Sequence, residues 1–185
     1  VTDWSASLSE FLTAIWAELG DFTHPRSGYV GLASLATQSP AGPEMRQLVI
    51  RAADRASGLL TLHTDTETAK CAEISANPKV SLMVWRPEHD LQIRVKADAE
   101  VLGRFAAQKV WTELPFASRG NYGVNPTPGT PITHATDYDR SADENRLAVI
   151  ALHIREIDAV RLASPLHYRA KFVEKDDWAG TWLAP

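Results

Sequence analysis

The stretch from 91 to 101 constrains the fold more than any other part of this chain. It reads LQIRVKADAEV, with Leu91, Ile93, Val95, Ala97, Ala99 and Val101 on one parity and Gln92, Arg94, Lys96, Asp98 and Glu100 on the other. Side chains along a β-strand point alternately to opposite faces, so this pattern makes one dry face and one wet face. Such a segment is a half-exposed antiparallel strand, and it needs partners on both edges.

The partners are legible as further apolar runs. Residues 29–37, 45–52 and 59–64 read as three strands, with turn residues at 38–43 (QSPAGP). Residues 80–85 are apolar on both faces and belong in the middle of a sheet. After a long gap, 147–154, 159–162, 166–173 and 178–185 resume strand character. Helices are few. Residues 7–20 carry Leu8, Phe11, Leu12, Ile15, Trp16 and Leu19 at helical spacing, with Ser7 and Glu10 forming a capping box and Gly20 at the end. A short helix over 68–76 stops at Asn77-Pro78, and another covers 104–114. Many strands with few helices predict a mainly β fold: a closed or nearly closed antiparallel barrel with flanking helices, in one domain over 1–185.

Composition narrows the function. The 185 residues are 44% hydrophobic and 23% charged, with a net charge of -4, which argues against general nucleic-acid binding. Cys71 is the single cysteine, so no intrachain disulfide forms. No apolar run is long enough to span a bilayer, and the first residues lack the pattern of a signal peptide; a cytoplasmic protein is expected. There is no GxGxxG after a strand, no GxxxxGK[ST], no GxSxG and no HExxH. The six histidines are scattered, so no metal site is expected.

The positive signal is Thr64-Asp-Thr-Glu-Thr-Ala-Lys70, where a strand ends and a helix begins. Free backbone N–H groups, the positive helix end, the Thr66 and Thr68 hydroxyls and the Lys70 ammonium would suit a phosphate monoester. The same residues also fit a plain capping box of Thr64 with Glu67. Arg46 and Arg51 flank an apolar strand and could bind a phosphate or polarise a ring carbonyl. Five residues apart, they point to opposite faces of an ideal strand. Gln92 opens the alternating strand, and His167 and Arg169 would share a strand face near the C-terminus.

In order, Arg46, Arg51, His63-Thr64, Thr68-Ala69-Lys70, Asn77-Pro78 before VSLMVW, Gln92, Leu166-His167-Tyr168-Arg169 and Leu183-Ala184-Pro185 resemble the pyridoxamine 5'-phosphate oxidase family. That resemblance implies a six-stranded antiparallel FMN-binding split barrel that forms a homodimer, with FMN at the interface. It implies that the strand Arg46, Gln47, Leu48, Val49, Ile50 and Arg51 runs along the cofactor. Arg46, Thr68 and Lys70, with Ala69 at the helix start, would hold the phosphate and ribityl chain. His63 and Thr64 would line the cofactor, Gln92 would face the ring edge, and Arg169 would approach it from the C-terminal strand. His167 would touch a small-molecule substrate and is the candidate catalytic residue. Apart from the resemblance, the long 117–144 loop is itself a candidate lid or partner-subunit contact, from which Ser118, Arg119 and Asn121 could reach the phosphate of a neighbour's flavin.

Two departures stand out. The family's helix-start arginine is Ala69 here, and its substrate-phosphate residues have no match in register around Trp111–Phe116. The expected activity is therefore that of an FMN-dependent, oxidase-like oxidoreductase of unidentified substrate. The alternatives are an FMN-binding or storage module without turnover, and a split barrel that binds heme or a deazaflavin.

Overall fold

The computed structural model describes residues 4, 6–23 and 31–185. Helix α1 (Leu8–Asp21) begins as its sequence dictates: the Ser7 hydroxyl accepts the Glu10 N–H at 3.1 Å and donates to the Glu10 carboxylate at 3.1 Å. The helix runs one residue past Gly20. Its apolar stripe, including Phe11, Ile15 and Leu19, is fully buried against the sheet.

Strands β1 (Leu32–Ser39), β2 (Gly42–Asp54) and β3 (Leu59–Asp65) form a meander. Of the expected 29–37 strand, residues 29 and 30 lie outside the described residues. Helix α2 (Ala69–Ala76) follows, then β4 (Lys79–Arg86) and β5 (Leu91–Val101) as a hairpin. The β5 alternation is realised along most of the strand: Leu91, Ile93, Val95, Ala97 and Ala99 are buried, Arg94, Lys96 and Glu100 are exposed, and Gln92, Asp98 and Val101 are half-buried.

Beyond α3 (Arg104–Glu113), the 117–144 loop holds the end of a single turn α4 (Phe116–Arg119) and a two-stranded ribbon of β6 (Val124–Asn125) and β7 (Asp139–Arg140). The two strands expected at 147–154 and 159–162 are one strand, β8, of 15 residues (Leu147–Arg161). What looked like a break is a register shift opposite Lys96 and Ala97, where β8 bulges at Arg155 and continues. Strand β9 is shorter than expected (Tyr168–Val173), so His167 precedes it, and only Thr181–Leu183 of the C-terminal stretch forms a strand, β10. Trp182 of β10 stacks on Phe11 at 5.8 Å.

All pairings are antiparallel, and the strand order is β10-β9-β8-β3-β2-β1-β4-β5, with β8 also pairing with β5. That last pairing closes β1, β2, β3, β8, β5 and β4 into a six-stranded barrel, with β9 and β10 extending the sheet from β8. Closure removes both sheet edges that the meander would otherwise expose. The core fills the barrel and continues under α1, while α3 covers the outside of β8 through Ala107, Leu147 and Val149. No helix among the described residues is long and apolar enough to cross a membrane.

Candidate functional site

β2 divides its side chains between two environments. Arg46, Leu48 and Ile50 lie opposite the inward-facing Leu35 and Ala33 of β1, or within the core, and Ile50 is fully buried. Gln47, Val49 and Arg51 take the outer face. Together with Leu48, these three line a cleft of about 270 Å³ whose other walls are Leu32, His63, Thr64, Asp65, Thr68, Asn121, Tyr122 and Pro128. The barrel thus supplies one wall and the 120–128 segment the other.

That second wall is held by one carboxylate. Asp65 is 5% exposed and accepts from the Gly123 N–H (2.9 Å), the Arg146 Nε (2.9 Å) and the Glu67 N–H (2.9 Å). Arg146 also donates to the Val124 carbonyl, and the Thr66 N–H donates to the Arg146 carbonyl. Gly123 must be glycine: its φ is +116°, and a Cβ there would sit 2.0 Å from the Ser141 carbonyl oxygen. Tyr122, just before Gly123, packs into the wall and is 3% exposed. Burial pushes its phenol pKa up, and the adjacent Arg51 opposes that shift.

The start of α2 forms the floor. The capping box of Thr64 with Glu67 does not form, because the Asp65 carboxylate takes the Glu67 N–H and the helix begins at Ala69. Thr68 is the N-cap, but its hydroxyl donates to the Asp65 carbonyl (2.7 Å) and caps no helix N–H. Lys70 Nζ donates to the Thr64 hydroxyl at 3.0 Å, which lies 3.4 Å from the Thr68 hydroxyl. Burial pulls the Lys70 pKa below its ordinary range. Cys71, Glu73 and Asp65 counteract this, and the charge of Arg46 adds to it.

His63 faces the same cleft. Burial, with the charge of Arg51 second, lowers its pKa to about 4, so the ring is neutral at physiological pH. Its Nδ1 is buried without a hydrogen-bond partner among the described residues. A buried polar atom in that condition costs roughly 1–3 kcal/mol, which a ligand group would recover.

The structure therefore brings Gln47, Leu48, Val49, Arg51, His63, Thr64, Thr68 and Lys70 together, with Ala69 exposed at the helix start. It places the others elsewhere. The Arg46 guanidinium is held by Thr37 and by Glu73 at 3.0 Å. Ile50 offers only its backbone. Gln92 pairs with Trp85 of β4 on one side and Val160 of β8 on the other, and Val160 pairs with Arg169 of β9. Arg169 makes two hydrogen bonds to Asp158, at 2.8 and 2.7 Å. His167 is exposed one residue before β9. Arg119 lies over the Trp111 ring at 5.3 Å. Sequence reasoning missed Asp65, Tyr122, Arg146 and Glu73; their roles depend on partners between 27 and 81 residues away.

The class is thus set: a closed antiparallel barrel with a polar cleft on its outer face, floored by an uncapped helix N-terminus. Residues 3–103, more than half of the chain, match the model of the family described as pyridoxamine 5'-phosphate oxidase, FMN-binding domain. The chain belongs to that family.

Solved structures share the fold across nearly the whole chain. A pyridoxamine 5'-phosphate oxidase-related, FMN-binding protein from Nostoc punctiforme PCC 73102 is 21% identical, with a TM-score of 0.75 over 100% of this chain and 99% of its own. PhzG from Burkholderia lata 383, solved in complex with tetrahydrophenazine-1-carboxylic acid, is 18% identical, with a TM-score of 0.71 over 95% and 91%. A protein related to general stress protein 26, from Clostridium acetobutylicum, is 12% identical, with a TM-score of 0.60 over 95% and 99%. No curated protein matches the chain.

Proposed function

We propose that this chain binds FMN in the cleft between the outer face of β2–β3 and the 120–128 segment, and acts as an oxidoreductase on a small molecule. One observation carries the reading. Lys70, the Thr64 and Thr68 hydroxyls, and a helix start with no side-chain cap converge at one end of a cleft whose side wall holds the unpartnered Nδ1 of His63. The donor set fits a flavin with a terminal phosphate. Backbone N–H groups in the first helical turn have no intrahelical acceptor and favour an anion, and Lys70 adds a charge-assisted donor.

When bound, FMN supplies hydride or electron transfer. The protein positions and polarises it. Thr64, Thr68 and Lys70 hold the phosphoryl end. Arg51 lies beside Tyr122 and His63 and sets a positive charge on the wall. Neutral His63 offers Nδ1 to a polar edge of the ligand.

A homodimer completes this picture. The cleft, about 270 Å³, is below the roughly 300–1,000 Å³ usual for small-molecule sites. Gln92 and Arg169 each sit three strands from Val49, or about 14 Å along the barrel wall at some 4.8 Å per strand. A second copy is what would carry Gln92, Arg169 and His167 to the cleft. The outer barrel face between them exposes Met45 (71%), Leu32 (48%) and Trp85 (39%), as an interface does.

The test is direct. The purified protein, titrated with FMN, should quench flavin fluorescence saturably and show a bound-flavin visible spectrum. A colourless protein without saturable uptake overturns the reading. Bound flavin that no reductant or substrate turns over would instead support a binding module without activity.

A further inference from the structure

We propose that Glu73 limits the preference of the cleft for phosphorylated flavins, by holding the Arg46 guanidinium and cancelling its charge. This rests on the flavin reading above and goes further, naming the residue that sets selectivity among flavins.

The geometry is a closed triangle of contacts beneath α2. Arg46 Nη2 lies 3.0 Å from Glu73 Oε2, and Arg46 Nη1 donates to the Thr37 hydroxyl. That hydroxyl in turn donates to the same Glu73 oxygen at 2.5 Å. Thr37 is 3% exposed and Glu73 8%, so the triangle is screened from solvent and its members have little freedom to turn elsewhere. Glu73 stands in α2, three residues after Lys70, and its charge is felt at the Lys70 ammonium together with that of Arg46.

The charges around the helix start then sort themselves. Arg46 is matched by Glu73, and Arg146 by Asp65. Among the described residues Lys70 has a hydroxyl partner, Thr64, and no carboxylate within salt-bridge distance. Of these three cations at the helix start only Lys70 is free of a carboxylate, while Arg51 stands apart on the cleft wall beside His63 and Tyr122. The carboxylate that holds Arg46 also repels the same phosphate. Ala69, the exposed first residue of α2, adds no charge to compensate.

The experiment is a pair of titrations, with FMN and with riboflavin, followed by flavin fluorescence quenching. The two ligands differ only in the phosphoryl group, so the ratio of their affinities isolates its contribution. Glu73→Gln keeps an acceptor for Thr37 and Arg46 and removes the charge. It should raise the FMN-to-riboflavin ratio about tenfold or more, the usual effect of one charge-assisted contact. Adding Arg46→Met to Glu73→Gln removes both charges and should erase the gain, returning the ratio to within about threefold of the wild type. Thermal melting of each variant checks that it is folded.

An unchanged ratio in folded Glu73→Gln overturns the inference. So does a double-variant ratio that stays tenfold above the wild type, because the gain would then not come from a freed Arg46. If Glu73→Gln alone does not fold, the double variant decides: a ratio more than about threefold away from the wild type overturns the inference, because the two charges would then not cancel at the phosphate. Failure of the wild-type protein to bind either flavin removes the flavin reading, and this inference with it. Normal wild-type flavin binding with no response in the variants removes only the inference.

Discussion

Replacing Asp65 by alanine tests whether one buried carboxylate holds the cleft together. Asp65 accepts three hydrogen bonds at 2.9 Å, from Glu67 N, Gly123 N and Arg146 Nε. Two of these donors belong to segments 58 and 81 residues away, so the loss is not repaired locally. The Arg146 side chain is 18% exposed and would keep its charge without a counter-ion. Breaking a buried pair by removing one partner costs about 3–5 kcal/mol. For a chain of this size that lowers Tm by roughly 6–20 °C, at about 2–4 °C per kcal/mol. Urea denaturation followed by tryptophan fluorescence gives the number, and Trp111, 6.3 Å from Tyr122, reports on the loosened wall. The double variant Asp65→Ala/Arg146→Met should cost well below the sum of the singles, since each change removes the same contact. A loss under about 1 kcal/mol for Asp65→Ala, or strict additivity with Arg146→Met, would refute the reasoning.

Three further outcomes are expected. Lys70→Met should weaken FMN by roughly 10- to 150-fold and leave riboflavin nearly unchanged, read by fluorescence quenching. The pKa of His63, near 4 when folded and ordinary when unfolded, means that the unfolded chain binds the extra proton between these values. Stability is therefore fully present above about pH 6.5 and falls toward pH 4, by some 2 kcal/mol after allowing for partial solvent screening. His63→Gln should flatten that part of a urea-midpoint-versus-pH curve, and an unchanged slope would count against it. Met45→Glu places a charge on the exposed barrel face; sedimentation should show a shift toward monomer, with FMN affinity falling in parallel.

How much of this was legible depends on the range of the forces involved. The β5 alternation, the Ser7–Glu10 cap and the Asn77-Pro78 stop are local, and each appears where the sequence put it. The length of β8 was not legible. Leu147–Leu152 is buried on both faces because α3 covers the outside of the barrel there, and the bulge at Arg155 shifts parity so that two runs look unrelated. The grouping of Thr64, Thr68 and Lys70 could be read from spacing along one turn. The commitment of Arg46 to Glu73 could not, because it arises only when β1 and α2 pack at the same barrel end.

The seam made by β8 has a consequence for how the molecule is assembled. Five of the six barrel strands lie within the first 103 residues, yet the ring cannot shut until residues 147–161 insert between β3 and β5. Up to that moment both flanking strands present unsatisfied amides and carbonyls, an invitation to pair with another chain. The residue just before the inserting strand, Arg146, is also the one that docks on Asp65. Shutting the ring and docking the far wall of the cleft on Asp65 thus draw on one continuous segment, so the insertion that hides the sticky edges also brings in the residue that anchors that wall.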